Sequence, residues 1–379
     1  MYRRKEIELK TLDEINDVIA RVEEKGYVWF EGTYEEGKKI RRFSLSTYAC
    51  IDVTPIEVRI TAKFDRIATY IFRLDGQQDV YCTSPLHAYK SGQEIYKVPK
   101  LEDLEWSKRV DVEKDMFGKY EKSAGALLWT NPEYDEKEVE NVWIYDINSA
   151  YGAVLADKIP DLYKDLGEGL VQKDEVGFVD IGDKFALVEY GSDLIAEVRF
   201  KLIDSPYRTW VTNCFKLKEF YKSKWKENKR QDFYEAYMKY KQYINFFVGF
   251  TQRTNPFFRT YIVEKCNRFV KKLMNNKTIF CNTDSIHSAG PRSDLSVGSG
   301  LGQFKLEEQN VTARYKGANW QVAGQKPKWR GVPEYRLRKP NGEWINLLTD
   351  ELPDASSRYG AVKTNDSWRI VDNDAGINA

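Results

Sequence analysis

The chain has 379 residues, enough for two or three domains or one protein of several subdomains, and at 42% hydrophobic it can bury a sizeable core. It has no apolar run of about 18 residues, which argues against a membrane-spanning helix, and its opening, MYRRKEIELK, lacks the apolar core of a signal peptide. Five scattered cysteines, no CxxC pair and only two histidines, His87 and His287, argue against a zinc site, a disulfide framework and a histidine-based hydrolase, and fit a reducing, intracellular setting.

The net charge of +1 is uninformative alone, but its distribution is not. Residues 216–241 hold nine Lys/Arg against four Asp/Glu, residues 312–340 eight against one, and residues 341–379 three against seven. Basic stretches interleaved with aromatics, which make up 14% of the chain, suit a phosphate backbone and stacked bases. A solvated helix face and a basic loop explain the same charges.

Taken in order, Thr11 opens a capping box with Glu14. Ile15, Val18, Ile19 and Val22 then form an apolar stripe, and Gly26 ends the helix. Residues 43–84 read as strands separated by turn residues, giving a small α+β domain, and a charged connector covers about 97–122. The strand NVWIYDINSAY runs to Asp146 and turns. Further strands are expected over 175–205, and a long Tyr- and Lys-rich helical region over 215–249. Phe258, Ile262, Cys266, Phe269 and Leu273 are spaced for a half-buried helix over 256–274. That helix leads into FCNTDSIHSAG, a strand, a tight turn and a second strand. The tail after Gly342 reads as partly loose.

Two acids, Asp146 and Asp284, stand at strand ends far apart in sequence. If those strands are neighbours, both carboxylates meet at one edge. Two carboxylates with backbone carbonyls and waters are what Mg²⁺ asks for, and a pair of such ions can bind attacking and leaving oxygens in phosphoryl transfer. Ordering of two turns by Asp is the alternative. Lys241 and Asn245 lie one helical turn apart, with Gly249 a turn further. A cation beside an amide suits a triphosphate, and Gly249 admits close approach of a base or backbone.

The order DxNSxY, KxxxNxxxG, NTDS resembles motifs A, B and C of family B DNA polymerases, most closely the protein-primed branch of phages and linear plasmids. The likeness covers roughly residues 123–333, including SAGALLW in the place of a glycine-rich DNA-binding segment and the basic helix KEFYKSKW before motif B. It implies an α+β right-hand polymerase with an antiparallel palm sheet, helical fingers, a small thumb and a small N-terminal α+β domain. The implied divisions are 1–122 as a reduced or replaced exonuclease region, 123–310 as palm and fingers, and 311–379 as a thumb-like region and tail.

The resemblance also implies roles. Asp146 and Asp284 become catalytic carboxylates holding two Mg²⁺ or Mn²⁺ ions, with the Ile147 carbonyl as a further ligand. Backbone amides at Asn148, Ser149 and Ala150 hold the incoming triphosphate, and Tyr151 packs under its sugar. Lys241 and Asn245 face the triphosphate and the nascent pair, while Lys229 and Arg230 add phosphate contacts. Gly125, Gly249 and Trp320 fall where primer and template bind, and a core role fits Trp320 equally. Asn282, Thr283 and Ser285 flank Asp284, Asn282 replacing the first acid of motif C.

The implied activity is template-directed addition of dNTPs to a 3′-hydroxyl on a DNA primer-template, without proofreading and with low processivity. Glu6, Glu8 and AKFD, ending at Asp65, are poor matches to exonuclease motifs. Only 43 positions separate Lys241 from Asp284, leaving no room for a strand-displacement subdomain. A primer-making or terminal-transferase-like enzyme, or a catalytically weakened nucleic-acid-binding protein, fits the altered positions too. A terminal or replication protein is a possible partner, no membrane is involved, and the cytoplasm of a bacterial host is the expected location.

Overall fold

The computed structural model describes residues 5–26, 29–31, 41–45, 49–53, 57–62, 68–73, 85–109, 124–182, 184–252, 254–329, 332, 337–339, 341–351, 359–364 and 367–372. The chain forms two compact units: residues 1–79 together with 326–379, and residues 80–325. The sequence reading drew its lines after 122 and 310, and the second of these cuts through one continuous strand, Phe304–Lys316.

In the first unit, α1 (Leu12–Glu23) starts at the Thr11–Glu14 capping box and buries Ile15, Val18, Ile19 and Val22, as their spacing predicts. Its sheet contains β1 (Lys5–Leu9), β2 (Phe30–Glu31), β3 (Arg41–Leu45), β4 (Ala49–Val53), β5 (Glu57–Ala62) and β6 (Ala68–Arg73), in the order β1-β6-β5-β4-β3-β2. Alternation turns Ala49, Ile51 and Val53 to the same face as Val58, Ile60 and Ala62, which lie opposite them on β5. This face and the α1 stripe share one apolar core. The tail after Gly342, read as partly loose, supplies a hairpin of β19 (Tyr359–Thr364) and β20 (Ser367–Asp372). Ile370 enters the core, its N–H donates to Asn16 Oδ1 at 3.0 Å, and its carbonyl accepts from Asn16 Nδ2 at 3.3 Å. The AKFD reading falls mostly on residues outside the described ones.

The second unit is built on six antiparallel strands: β7 (Leu128–Thr130), β8 (Glu138–Ile147), β15 (Thr278–Asn282), β16 (Ser285–Ala289), β17 (Phe304–Lys316) and β18 (Asn319–Val322). They run in the order β18-β17-β8-β16-β15-β7. A smaller antiparallel sheet contains β9 (Lys158–Pro160), β11 (Glu175–Asp180), β12 (Phe185–Glu189) and β14 (Val198–Asp204), and beside it β10 (Gly169–Leu170) pairs with β13 (Ile195–Ala196). The helices are α2 (Pro85–Gln93), α3 (Glu105–Arg109), α4 (Ala150–Ala156), α5 (Arg208–Asn228), α6 (Gln231–Thr251) and α7 (Pro256–Leu273).

Asn255 caps α7 by accepting from the Phe258 N–H at 3.1 Å, with Pro256 in the first turn. This helix serves both sheets. Phe257, Phe258, Tyr261 and Ile262 join Phe178, Phe185 and Phe200 of the smaller sheet, while Cys266 and Val270 pack with Tyr145, Ile147, Cys281 and Ile286 of the larger. Phe269, read from its spacing as part of the buried stripe, is 47% exposed and stacks on Phe304.

The helical region expected over 215–249 is two helices. Lys229 adopts the left-handed conformation, φ 55°, and reverses the chain between α5 and α6. Tyr221 stacks on Tyr240 and Trp225 on Tyr237, each pair with rings 4° apart in plane, so the helices run antiparallel. Their aromatics thus zip a hairpin together where the pattern suggested one rod. At the base of α6, Phe247 lies so close to Gly92 of α2 that a Cβ there would sit 2.4 Å from its ring.

His287 lies wholly inside the larger sheet, its Nδ1 3.0 Å from the Tyr315 hydroxyl and its ring edge-on to Trp320. Burial pushes its imidazole down to about 3. The unfolded chain takes up this proton near pH 6.5, so the stabilising effect of a neutral His287 is complete above that pH and is lost as pH falls toward 3. Unfolding midpoints measured between pH 7 and pH 4 should fall with a shallower slope in His287→Leu than in the unaltered protein; parallel slopes would contradict this.

Candidate active site

Chain pairing brings the two acids of the sequence reading together. Strands β8 and β16 are antiparallel neighbours with Ser285 opposite Asp146, and the Ile147 N–H donates to the Asp284 carbonyl at 2.9 Å. Asp284 follows a residue in the left-handed region, Thr283, and Asp146 stands three positions before another, Ser149, each at φ 57°. For a β-branched Thr this conformation is costly, about 1–3 kcal/mol, and persists only where neighbours over-determine it. Here the Thr283 N–H donates to the Leu127 carbonyl at 2.7 Å, and the Asp284 N–H to the Asn282 carbonyl at 2.7 Å. Asn282 accepts from the Thr283 hydroxyl at 3.3 Å, and Ser285 Oγ donates to the Asn282 carbonyl at 3.2 Å.

Burial raises the Asp284 carboxyl well above the usual carboxylate range, and the charge of Asp146 raises it further. Asp146 is raised too, chiefly by burial. It also meets a cation that the sequence reading missed: Lys305 Nζ lies 2.9 Å from its Oδ2. The same ammonium lies 2.5 Å from Glu307 Oε1. Burial alone would lower Lys305, but its bonds to Glu307 and Asp146 outweigh this and hold it raised. The ion pair does not bring Asp146 down, because burial and the nearby Glu307 charge oppose Lys305. Among the described residues no group of three His, Cys, Asp or Glu side chains could hold a metal ion, so this centre has two carboxylates where Asn282 removes a third.

On α6, Lys241, Asn245 and Gly249 share an exposed face, while Ile244, Phe247 and Val248 are buried behind them. Nothing lies within 4 Å of where a Gly249 Cβ would be. The Lys241 charge acts on Asp284, tending to lower it. Lys218 of α5, also missed, is lowered by burial and its charge reaches Asp146. Lys229 and Arg230 are not in this cluster. They form the tip of the helix hairpin, eleven residues and roughly 16 Å of helix from Lys241. There Arg230 Nη2 pairs with Asp232 at 2.7 Å, and Lys229 lies over the Trp225 ring.

The turn after Asp146 is tied down. The Asn148 N–H donates to the Gln303 carbonyl at 2.9 Å, its carbonyl accepts from the Gly302 N–H at 2.9 Å, and its Nδ2 donates to the Gly298 carbonyl at 2.9 Å. That amide is therefore committed within the fold, and Ser149 and Ala150 begin α4. Tyr151, on α4, packs partly buried between two apolar clusters. Trp320 packs against the larger sheet through His287, the core placement its sequence position also allowed. Gly125 is tied to the segment that holds the Asp284 turn: Asn267 of α7 donates from Nδ2 to the Gly125 carbonyl at 2.9 Å and accepts at Oδ1 from the Leu127 N–H at 2.8 Å, and the Leu127 carbonyl accepts from the Thr283 N–H. Asn267 had one sequence signal, a polar residue on the buried side of a helix. Lys305 had none, since only its register opposite Asp146 gives it meaning.

An antiparallel sheet with two acids at the ends of its central strands, and a helical hairpin whose lysines act on them, is the palm and fingers arrangement of a right-hand polymerase fold. No protein-family model matches the chain, and no curated protein matches it. Among solved structures, Phi29 DNA polymerase complexed with single-stranded DNA is similar over 84% of this chain and 82% of its own, with a TM-score of 0.51 and 12% identity. Phi29 DNA polymerase complexed with primer-template DNA gives the same coverage and identity at a TM-score of 0.48. A family B DNA polymerase from the hyperthermophilic archaeon Pyrobaculum calidifontis matches 57% of this chain and 30% of its own, at a TM-score of 0.34 and 12% identity. The likeness at 0.51 shows the fold.

Asn267 makes the Gly125–Leu127 segment part of the site. Asn267→Ala should destabilise the protein by about 1–3 kcal/mol in denaturant melts, the cost of buried partners left unpaired, and should speed hydrogen exchange at the Leu127 amide. Unchanged exchange there would remove this clamp.

Proposed function

We propose that the chain is a template-directed DNA polymerase of the family B kind, closest to the protein-primed phage and linear-plasmid branch, extending a primer 3′-hydroxyl with dNTPs. The observation that carries this is the meeting of Asp146 and Asp284 across β8 and β16, with the charge of Lys241 on α6 reaching Asp284. The order of the three motifs in the sequence agrees with it.

The residues fit a divalent cation. Two partly buried carboxylates, each disfavoured as an anion by burial and one raised further by the other, need positive charge, and they are hard oxygen donors. Asp146, Asp284 and the Ile147 carbonyl would hold Mg²⁺ or Mn²⁺, which supplies charge neutralisation at the transferring phosphoryl group.

In the reaction the primer oxygen bonds to the α-phosphorus of the dNTP, the bond to the β-phosphate oxygen breaks, and pyrophosphate leaves with the charge. Lys241 stands to neutralise that charge, and Asn245, a turn away, to orient the incoming pair. Tyr151 is placed at the end of motif A to pack under the sugar. Ser149 and Ala150 open α4, where backbone N–H groups favour an anion, although a helix of this length adds little dipole. On this reading residues 123–310 form the palm and fingers and residues 311–379 a thumb-like region and tail. The enzyme is read as lacking proofreading, and the 43 positions between Lys241 and Asp284 predict poor strand displacement. Nucleic acid and nucleotides are its partners, and a terminal or replication protein is a further one. No helix among the described residues is long and apolar enough to cross a membrane.

Primer extension on a DNA template with Mg²⁺ tests the proposal. Template-directed incorporation is expected, reduced at least ~100-fold in Asp146→Ala and in Asp284→Ala, as for loss of a preorganised electrostatic group. Wild-type rates in either variant would contradict the assignment. In the same assay Tyr151→Ala should raise the ratio of ribonucleotide to deoxynucleotide incorporation, and an unchanged ratio would remove its steric role.

A further inference from the structure

We propose that Lys305 is the resident counter-cation of Asp146, and that a divalent cation takes this carboxylate by displacing the ammonium onto Glu307. The inference rests on the reading of Asp146 and Asp284 as cation ligands.

Three observations point to it. Lys305 lies directly opposite Asp146 in the β8–β17 ladder, so the pair is fixed by strand register and not by a chance reach of a long side chain. The ladder then slips: Leu306 faces Tyr145 and Glu308 faces Ile144, leaving Glu307 as an extra residue in β17. At this slip Glu307 Oε1 stands 2.5 Å from the ammonium that also lies 2.9 Å from Asp146 Oδ2. Finally, the centre holds Asn282 where a third acid would add a charge, so an internal monocation balances one of its two carboxylates.

A divalent cation and an ammonium cannot both crowd one carboxylate without strong repulsion. Glu307 resolves this. It already shares the ammonium, so Lys305 leaves Asp146 without losing its only partner. Lys305 is therefore a positioning residue for the centre, setting how tightly it takes a cation in the absence of substrate. A simple strap between β8 and β17 is the competing role, and it predicts no effect on cation affinity.

The test is Mn²⁺ binding to the full chain, without DNA or nucleotide, followed by the electron paramagnetic resonance signal of free Mn²⁺. Lys305→Met, which keeps the apolar stem, and Lys305→Ala should each bind Mn²⁺ about tenfold or more tightly than the unaltered protein, for removal of one competing charge at this separation. Glu307→Gln should weaken binding, and that effect should vanish in a Lys305→Met background, because Glu307 acts through Lys305. Unchanged or weaker binding in both Lys305 variants, with Asp146→Asn still weakening it, overturns the displacement and leaves the cation site standing. A Glu307→Gln effect that persists without Lys305 also overturns it. If Asp146→Asn leaves Mn²⁺ affinity unchanged, both the displacement and the cation reading fall.

Discussion

Two carboxylates held side by side at the ends of two central strands of one sheet are the constraint around which the second unit is arranged. Asp146 and Asp284 are brought together by the β8–β16 ladder and the hydrogen bond from the Ile147 N–H to the Asp284 carbonyl. Each prefers water to the place it occupies, and the charge of Asp146 makes that of Asp284 less favourable still. A fold that tolerates this must bring positive charge to them, and three lysines do so from different elements. Lys305 comes from β17, Lys218 from α5 and Lys241 from α6.

The supporting structure follows from the same constraint. The turns that expose the acids use left-handed Ser149 and Thr283, conformations that their own residues do not favour. They are held by hydrogen bonds from outside the turns: Leu127 on Thr283, and Gln303, Gly302 and Gly298 on Asn148. Asn267 in turn holds the Leu127 segment, and α7, which bears Asn267, packs on both sheets. Strain at the acids is thus offset by a chain of buried contacts that ends in the most aromatic part of the core.

Much of this was legible in the sequence, where local rules suffice. The Thr11–Glu14 box and its apolar stripe specify α1 completely, because capping and 3.6-residue periodicity are local. Asp146 and Asp284 could be placed at strand ends because apolar runs stop just before each of them. What was hidden depends on pairing between distant segments. Lys305 is an ordinary alternating residue until its register opposite Asp146 is known, and the register slip at Glu307 is one that no local pattern encodes. The reversal at Lys229 was missed because the residue carries no Gly or Pro signal, and the stacked Tyr and Trp rings that enforce it act between helices. Ile370 was hidden in the same way, an apolar residue whose place beside α1 depends on a contact with a distant segment.

The central claim is that Asp146 and Asp284 act as one unit. A double-mutant cycle on Mn²⁺ affinity, with Asp146→Asn, Asp284→Asn and both together, tests it most directly. The account predicts strong non-additivity, the double variant binding little worse than the weaker single one. Losses that simply add, as for two independent turn-forming acids, would contradict it.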